Sequence, residues 1–193
     1  MVSATTSLDH WRKAQDTTSL SSIFLNNMGD RNELWVKPAL ETIKINVDAA
    51  SFEQENSYGF GLVVRDHLGS PLHIQAEYHG GYFPSEVTEA MGIKEAFSWI
   101  KANHRSRVLI ESDSMLAVQA IHSTQLMTSV LGLVVNDCRN ILSSLSDVSL
   151  RFVRRSANCA AHFVARHARS SIGRSILGSI IPPDLHTILY SEY

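Results

Sequence analysis

The hydrophobic pattern changes period near residue 85, from two to about 3.6, and that switch narrows the folds open to this chain. Before it, Ile43, Ile45 and Val47 alternate with Lys44, Asn46 and Asp48, which marks a strand ending at Asp48. Gly59-Phe-Gly-Leu-Val-Val-Arg65 gives a second strand, closed by the turn residues Asp66-His-Leu-Gly69. Leu72, Ile74, Ala76 and Tyr78 alternate again as a third strand. Links this short make the three an antiparallel meander. After the switch, Ser85 is placed to cap a helix with Glu86 in its first turn, and Ala90, Ile93, Phe97 and Ile100 recur at helical spacing. Arg107–Asp113 reads as a fourth strand and Val148, Leu150 and Phe152 as a fifth. Helices are expected from Ser114 to about His122, over Thr128–Leu145, and from a cap at Asn158 to about Ala168. The order β-β-β-α-β-α-α-β-α predicts an α/β fold, a meander followed by crossover units, with a mixed sheet and helices packed on its faces.

Composition sets the outer limits. The chain has 193 residues, enough for one domain with appendages. Residues 1–37 read as a polar N-terminal linker or remnant: Ser, Thr and Asn fill eleven of the first thirty positions, and Leu20, Ile23, Phe24 and Met28 offer only a short amphipathic helix. The domain proper is expected over 38–170, and 171–193, with Pro182-Pro183, returns to tail-like composition. With 17 Lys+Arg against 19 Asp+Glu, the chain is neither a polybasic tail nor an acidic disordered protein. Two cysteines, Cys138 and Cys159, make neither a disulfide framework nor a zinc pattern. The longest apolar run, Val130–Val135, is too short for a membrane span, and the first thirty residues lack a basic patch followed by an apolar run. An intracellular protein of the nucleus or cytoplasm is expected, a monomer with no membrane and no small-molecule cofactor.

Three acids fall where such a fold would gather them. Asp48 lies on the strand face opposite Ile43, Ile45 and Val47, Asp113 ends the fourth strand, and Glu89 lies in the first turn and a half of the first long helix. Open α/β sheets put their ligands at strand ends beside a change in connection direction. If strands one and four are neighbours, the three carboxylates converge on a hard-oxygen site suited to Mg²⁺. A pair of such ions can cut a phosphodiester, one activating water and the other steadying the leaving oxygen.

Five ordered blocks carry a resemblance. Lys44-Ile-Asn-Val-Asp48-Ala-Ala, Gly59-x-Gly-x-Val-Val-Arg-Asp66-His-x-Gly69, Glu89-Ala90, Glu111-Ser-Asp-Ser114 and Asn158-x-x-Ala-His162-x-x-Ala-Arg166 together resemble the type 1 ribonuclease H domain. More narrowly, they are similar to the plant version derived from non-LTR retrotransposon reverse transcriptases. The match runs from about Trp35 to Arg169. It implies a five-stranded mixed sheet, a three-strand meander plus two parallel strands, with helices on both faces. The implied chemistry is hydrolysis of the RNA strand of an RNA–DNA hybrid, an endonuclease reaction using two Mg²⁺ (or Mn²⁺) ions. Asp48, Glu89 and Asp113 fall on three of the family's four catalytic acids, and His162 stands at the fourth position.

The sequence departs from that pattern in two places. Imidazole adds no negative charge, and Mg²⁺ prefers oxygen where Mn²⁺ tolerates nitrogen. His162 thus leaves open a weak second metal site, a Mn²⁺ preference, an inactive remnant or a general base. Val153-Arg-Arg-Ser-Ala-Asn158 is also too short for the family's mobile His-bearing loop. A catalytically weak or inactive nucleic-acid-binding module is therefore the alternative.

Six arginines and no acids lie between Arg151 and Arg174, a positive stripe suited to a phosphate backbone or to plain solvation. Arg154, Arg155 and Asn158, beside the acids, are the expected nucleic-acid contacts. Glu111 shares a face with Asp113 and is expected to face solvent, while Asn46 and Ser112 are expected to point to the other face as structural residues.

Overall fold

A computed structural model describes residues 33–170, 175–176 and 181–191. The expected helix around Leu20–Met28 and most of the expected linker lie outside them. The described residues fall within one compact unit, Glu33–Tyr193.

The alternating segments form β1 (Ile43–Phe52), β2 (Ser57–Arg65) and β3 (Pro71–Gly80), paired antiparallel as a meander. The β2–β3 turn is held by Asp66, whose Oδ1 accepts the amides of Leu68 at 2.9 Å and Ser70 at 2.8 Å, and Gly69 takes the positive φ the turn requires. Strands β4 (Val108–Ser112) and β5 (Val148–Phe152) add in parallel, β4 beside β1 and β5 beside β4. The five-stranded order is β5-β4-β1-β2-β3, and the two-residue β6 (Ser175–Ile176) extends the β3 edge.

Helix α1 (Ser85–Ala102) begins one residue earlier than a Ser85 cap allows: Pro84 holds the cap position and Ser85 is already helical. The next two helices do have serine side-chain caps. Ser114 Oγ accepts the Ala117 amide ahead of α2 (Met115–His122), and Ser129 Oγ accepts the Gly132 amide ahead of α3 (Val130–Ser143). Helices α1 to α3 bury Ala90, Ile93, Phe97, Ile100, Val118 and Val135 against Ile45, Val47, Leu62 and Ile110 on one sheet face. On the other face lie α4 (Cys159–Arg166) and α5 (Pro183–Ser191), around Val63, Ile74, Val164, Leu185 and Leu189. The tail-like composition after Ser170 thus includes a helix with a buried apolar stripe. Helix α4 sits close to the sheet because Gly61 has no side chain: a Cβ there would stand 2.5 Å from the Ala165 nitrogen.

Candidate metal centre

Asp48 does not end β1, which runs on to Phe52, but it sits where its neighbour ends. The β1–β4 pairing closes at Val47 opposite Ser112, so Asp48 and Asp113 follow side by side where β4 leaves the sheet. Glu89 arrives from α1 on one face, and His162 from α4 on the other. One oxygen from each of Asp48, Glu89 and Asp113 lies within 4.8 Å of the others. Burial, reinforced by the charges of Asp48 and Asp113, pushes the Glu89 carboxyl well above its ordinary range. Burial and Asp48 also raise Asp113, against the pull of the Arg155 guanidinium. Asp48 Oδ1 and Glu89 Oε2 are buried with no hydrogen-bond partner among the described residues. Buried acceptors of this kind call for a donor or a cation. Three clustered carboxylates with open oxygens fit a hard divalent ion.

Two nitrogen-bearing side chains of the chain itself already touch the cluster, a histidine and an arginine. His162 Nδ1 lies 2.6 Å from Asp48 Oδ2. Arg155, on a 3₁₀ turn (Arg155–Ala157) between β5 and α4, pairs through Nε with Asp113 Oδ2. Its Nη1 lies 3.4 Å from Asp48 Oδ2 and also meets His162 Nδ1.

Comparison with known proteins decides the lineage. A family profile described as reverse transcriptase-like matches residues 46–168, which takes in all four of these site positions and Arg155. The chain belongs to the reverse transcriptase-like family. No curated protein matches its sequence. Among solved structures it is similar to the N-terminal RNase H domain of a Mycobacterium tuberculosis protein, at 18% identity and a TM-score of 0.60, over 67% of this chain and 94% of that one. RNase H1 from Halobacterium salinarum is similar at 18% identity and a TM-score of 0.61, over 67% and 98%. A compost metagenome RNase H1, LC11, solved with an RNA/DNA hybrid, is similar at 18% identity and 0.58, over 65% and 95%. At such identities the likeness establishes an RNase H-like fold.

In this reverse transcriptase-like chain the acids are braced from below by a buried polar network. Asn158 is fully buried, so it is a support and not the nucleic-acid contact expected of it. Its Nδ2 donates to Asp113 Oδ1 at 2.8 Å and to the Val47 carbonyl at 3.0 Å, locking β1 to the exit of β4. Asn158 holds the α4 cap position, but its side chain makes no cap hydrogen bond because it is engaged in that lock. Asn46 Nδ2 donates to Asn158 Oδ1 at 3.2 Å and to Glu111 Oε2 at 3.0 Å. Its Oδ1 accepts from Trp35 Nε1 and from Arg65 Nη2, both at 2.8 Å.

Two orientations therefore differ from expectation. Asn46 shares the Asp48 face, since residues two apart on a strand point the same way; Ser112, one residue from Asp113, does point to the other. Glu111 is not solvent-facing: it pairs with Lys44 at 2.7 Å, and both side chains are only 1% exposed. Helix α4 and Trp35 cover this part of the sheet, and the guanidinium of Arg65 stacks 3.7 Å from the Trp35 ring centre.

Three of the six arginines in the stripe are committed within the molecule. Arg151 pairs with Glu111, Arg155 with the acid cluster and Arg169 with Glu55 at 2.6 Å. Arg174 lies outside the described residues, and Arg166 is exposed. Arg154 hydrogen-bonds by its backbone amide to Glu33 Oε2 at 2.8 Å. The sequence places Arg155 beside the acids as a nucleic-acid contact, and the structure pairs it with Asp48 and Asp113. The available signal was its place three residues before Asn158, which anchors the turn against Asp113.

Proposed function

We propose that this chain is a divalent-metal-dependent ribonuclease that hydrolyses the RNA strand of RNA–DNA hybrids. The carrying observation is the convergence of Asp48, Glu89 and Asp113 with two buried oxygens left open. These three residues would hold Mg²⁺ or Mn²⁺, which supplies an activated water and neutralises charge developing on a phosphodiester. Asn158 keeps Asp113 in register with Val47 and Asp48 of β1, so that the acids meet without rearrangement. His162 holds a ring nitrogen against Asp48, at the position of the family's fourth acid. Two ions per site are the pattern that the resemblance implies. Asp48 Oδ1 and Glu89 Oε2 provide for the first. A hybrid would be held by backbone and 2′-hydroxyl contacts with little base readout, Arg154 among them. The plant retrotransposon-derived subgroup is the proposed origin, and a monomer in the nucleus or cytoplasm the proposed state. No helix of the described residues is long and apolar enough to cross a membrane.

The test is cleavage of an end-labelled RNA–DNA hybrid in Mg²⁺ and in Mn²⁺, beside Asp113→Asn. Cleavage by the wild type, lost in the variant with hybrid binding kept, is expected. Wild-type protein as inactive as Asp113→Asn in both metals would overturn the proposal. That result would favour a second reading, a hybrid-binding module, which the presence of His162 and Arg155 among the acids supports.

A further inference from the structure

Arg155 is placed unlike a residue that waits for nucleic acid. Its guanidinium reaches Asp113 Oδ2, Asp48 Oδ2 and His162 Nδ1 together, so it bridges two of the three clustered carboxylates. The oxygens it leaves open, Asp48 Oδ1 and Glu89 Oε2, are buried and meet no donor group among the described residues. The cluster is therefore divided: one side is open to a cation, and the other already holds one. That second cation is covalently part of the chain and 55% exposed, on a three-residue 3₁₀ turn, so it can swing away without disturbing the core.

We infer that Arg155 occupies the second cation position of the free protein, so that one divalent ion binds readily and a second must displace the guanidinium. The inference rests on the metal-site reading above. It adds an order of events. The open oxygens take an ion first, and the Asp48–Asp113 side becomes available only when Arg155 moves to another anion. A phosphate of an incoming nucleic-acid strand has the chemistry to draw it off, since guanidinium pairs with phosphate as it does with carboxylate. The chain would then complete its metal site only in the presence of a polyanion.

Mn²⁺ titration of the full chain without nucleic acid, read by calorimetry and by the loss of the free-ion electron paramagnetic resonance signal, tests this. Wild type is expected to bind one ion, with any second far weaker. Arg155→Ala should tighten the second ion about tenfold or more, because a unit charge beside a divalent ion counts strongly even in a partly wet site. Arg155→Gln is expected to do the same. Arg154→Ala removes an equal charge one residue away and should leave the titration as in wild type. Two equally tight ions in wild type, or an Arg155→Ala curve that superimposes on that of wild type or Arg154→Ala, would overturn the inference while the metal site stands. No Mn²⁺ uptake by wild type or by either Arg155 variant would overturn both the inference and the metal-site reading.

Discussion

Glu111→Ala is expected to be among the most damaging single changes in this chain, although Glu111 touches no expected metal ligand directly. Its carboxylate faces the Lys44 ammonium at 2.7 Å with both groups 1% exposed, and it also accepts from Asn46 and Arg151. Removing it leaves Lys44 buried with the Val36 carbonyl at 2.5 Å and no counter-charge, beside the cation of Arg65. Breaking a buried pair from one side costs about 3–5 kcal/mol, a large share of the total stability of a typical domain. The loss should depend on pH in a defined direction. Burial already pulls the Lys44 amine below its ordinary value, and Glu111 opposes that pull. Between its folded and unfolded values the unfolded chain binds the extra proton, so stability rises with pH there. Without Glu111 that window extends to lower pH, and the deficit of the variant should shrink between pH 7 and about pH 9.5 as Lys44 becomes neutral. Equilibrium urea unfolding at the two pH values measures both effects. Lys44→Met with Glu111→Leu should recover most of the loss, because neither charge is then stranded and half-exposed Arg151 can turn to water. A deficit below about 1 kcal/mol at pH 7, or one that does not shrink, would refute the reasoning.

Three further outcomes are expected. Glu89→Gln should stabilise the free protein by about 1–2 kcal/mol at pH 7, since mutual repulsion of site acids works against folding. The Glu89 carboxyl is raised in the fold, so the folded state holds the extra proton and wild-type stability falls as pH rises from the unfolded value to the folded one. The advantage of Glu89→Gln should therefore vanish below about pH 4 in thermal melts. Gly61→Ala should lose about 2–3 kcal/mol in urea unfolding, because its Cβ would press on the α4 backbone, 2.5 Å from the Ala165 nitrogen and 2.8 Å from the Ala161 oxygen. His162→Asp is expected to raise the hybrid-cleavage rate in Mg²⁺ more than in Mn²⁺, since it replaces a nitrogen beside Asp48 with hard oxygens.

The strands, the helices and the places of the three acids on them could be read in advance because they depend on periodicity, whereas the strand order in the mixed sheet does not follow from it. A strand repeats every two residues, and a switch to 3.6 dates the change from meander to crossover. The polar side of the sheet is different. Alternation shows that Lys44, Asn46 and Asp48 share one face of β1, but it does not show whether that face is wet. Here it is dry. Glycine at position 61 lets α4 lie close against the sheet, and Trp35 covers the other end, so polar residues that would ordinarily meet solvent are enclosed. Enclosure forces each of them to find a partner, and those partners are remote in sequence: Lys44 with Glu111, Asn46 with Asn158, Asn158 with Asp113. Each link runs between segments that only the sheet order makes neighbours. The acid cluster and the buried network are thus one construction, in which Asn158 joins the hydrogen-bonded interior to the carboxylates left open at its edge. The same geometry explains why the sequence puts Arg155 beside the acids as a nucleic-acid contact without showing that it pairs with them. Its side chain is directed by the turn that Asn158 anchors, and that anchor is visible only when the end of β4 is already in place.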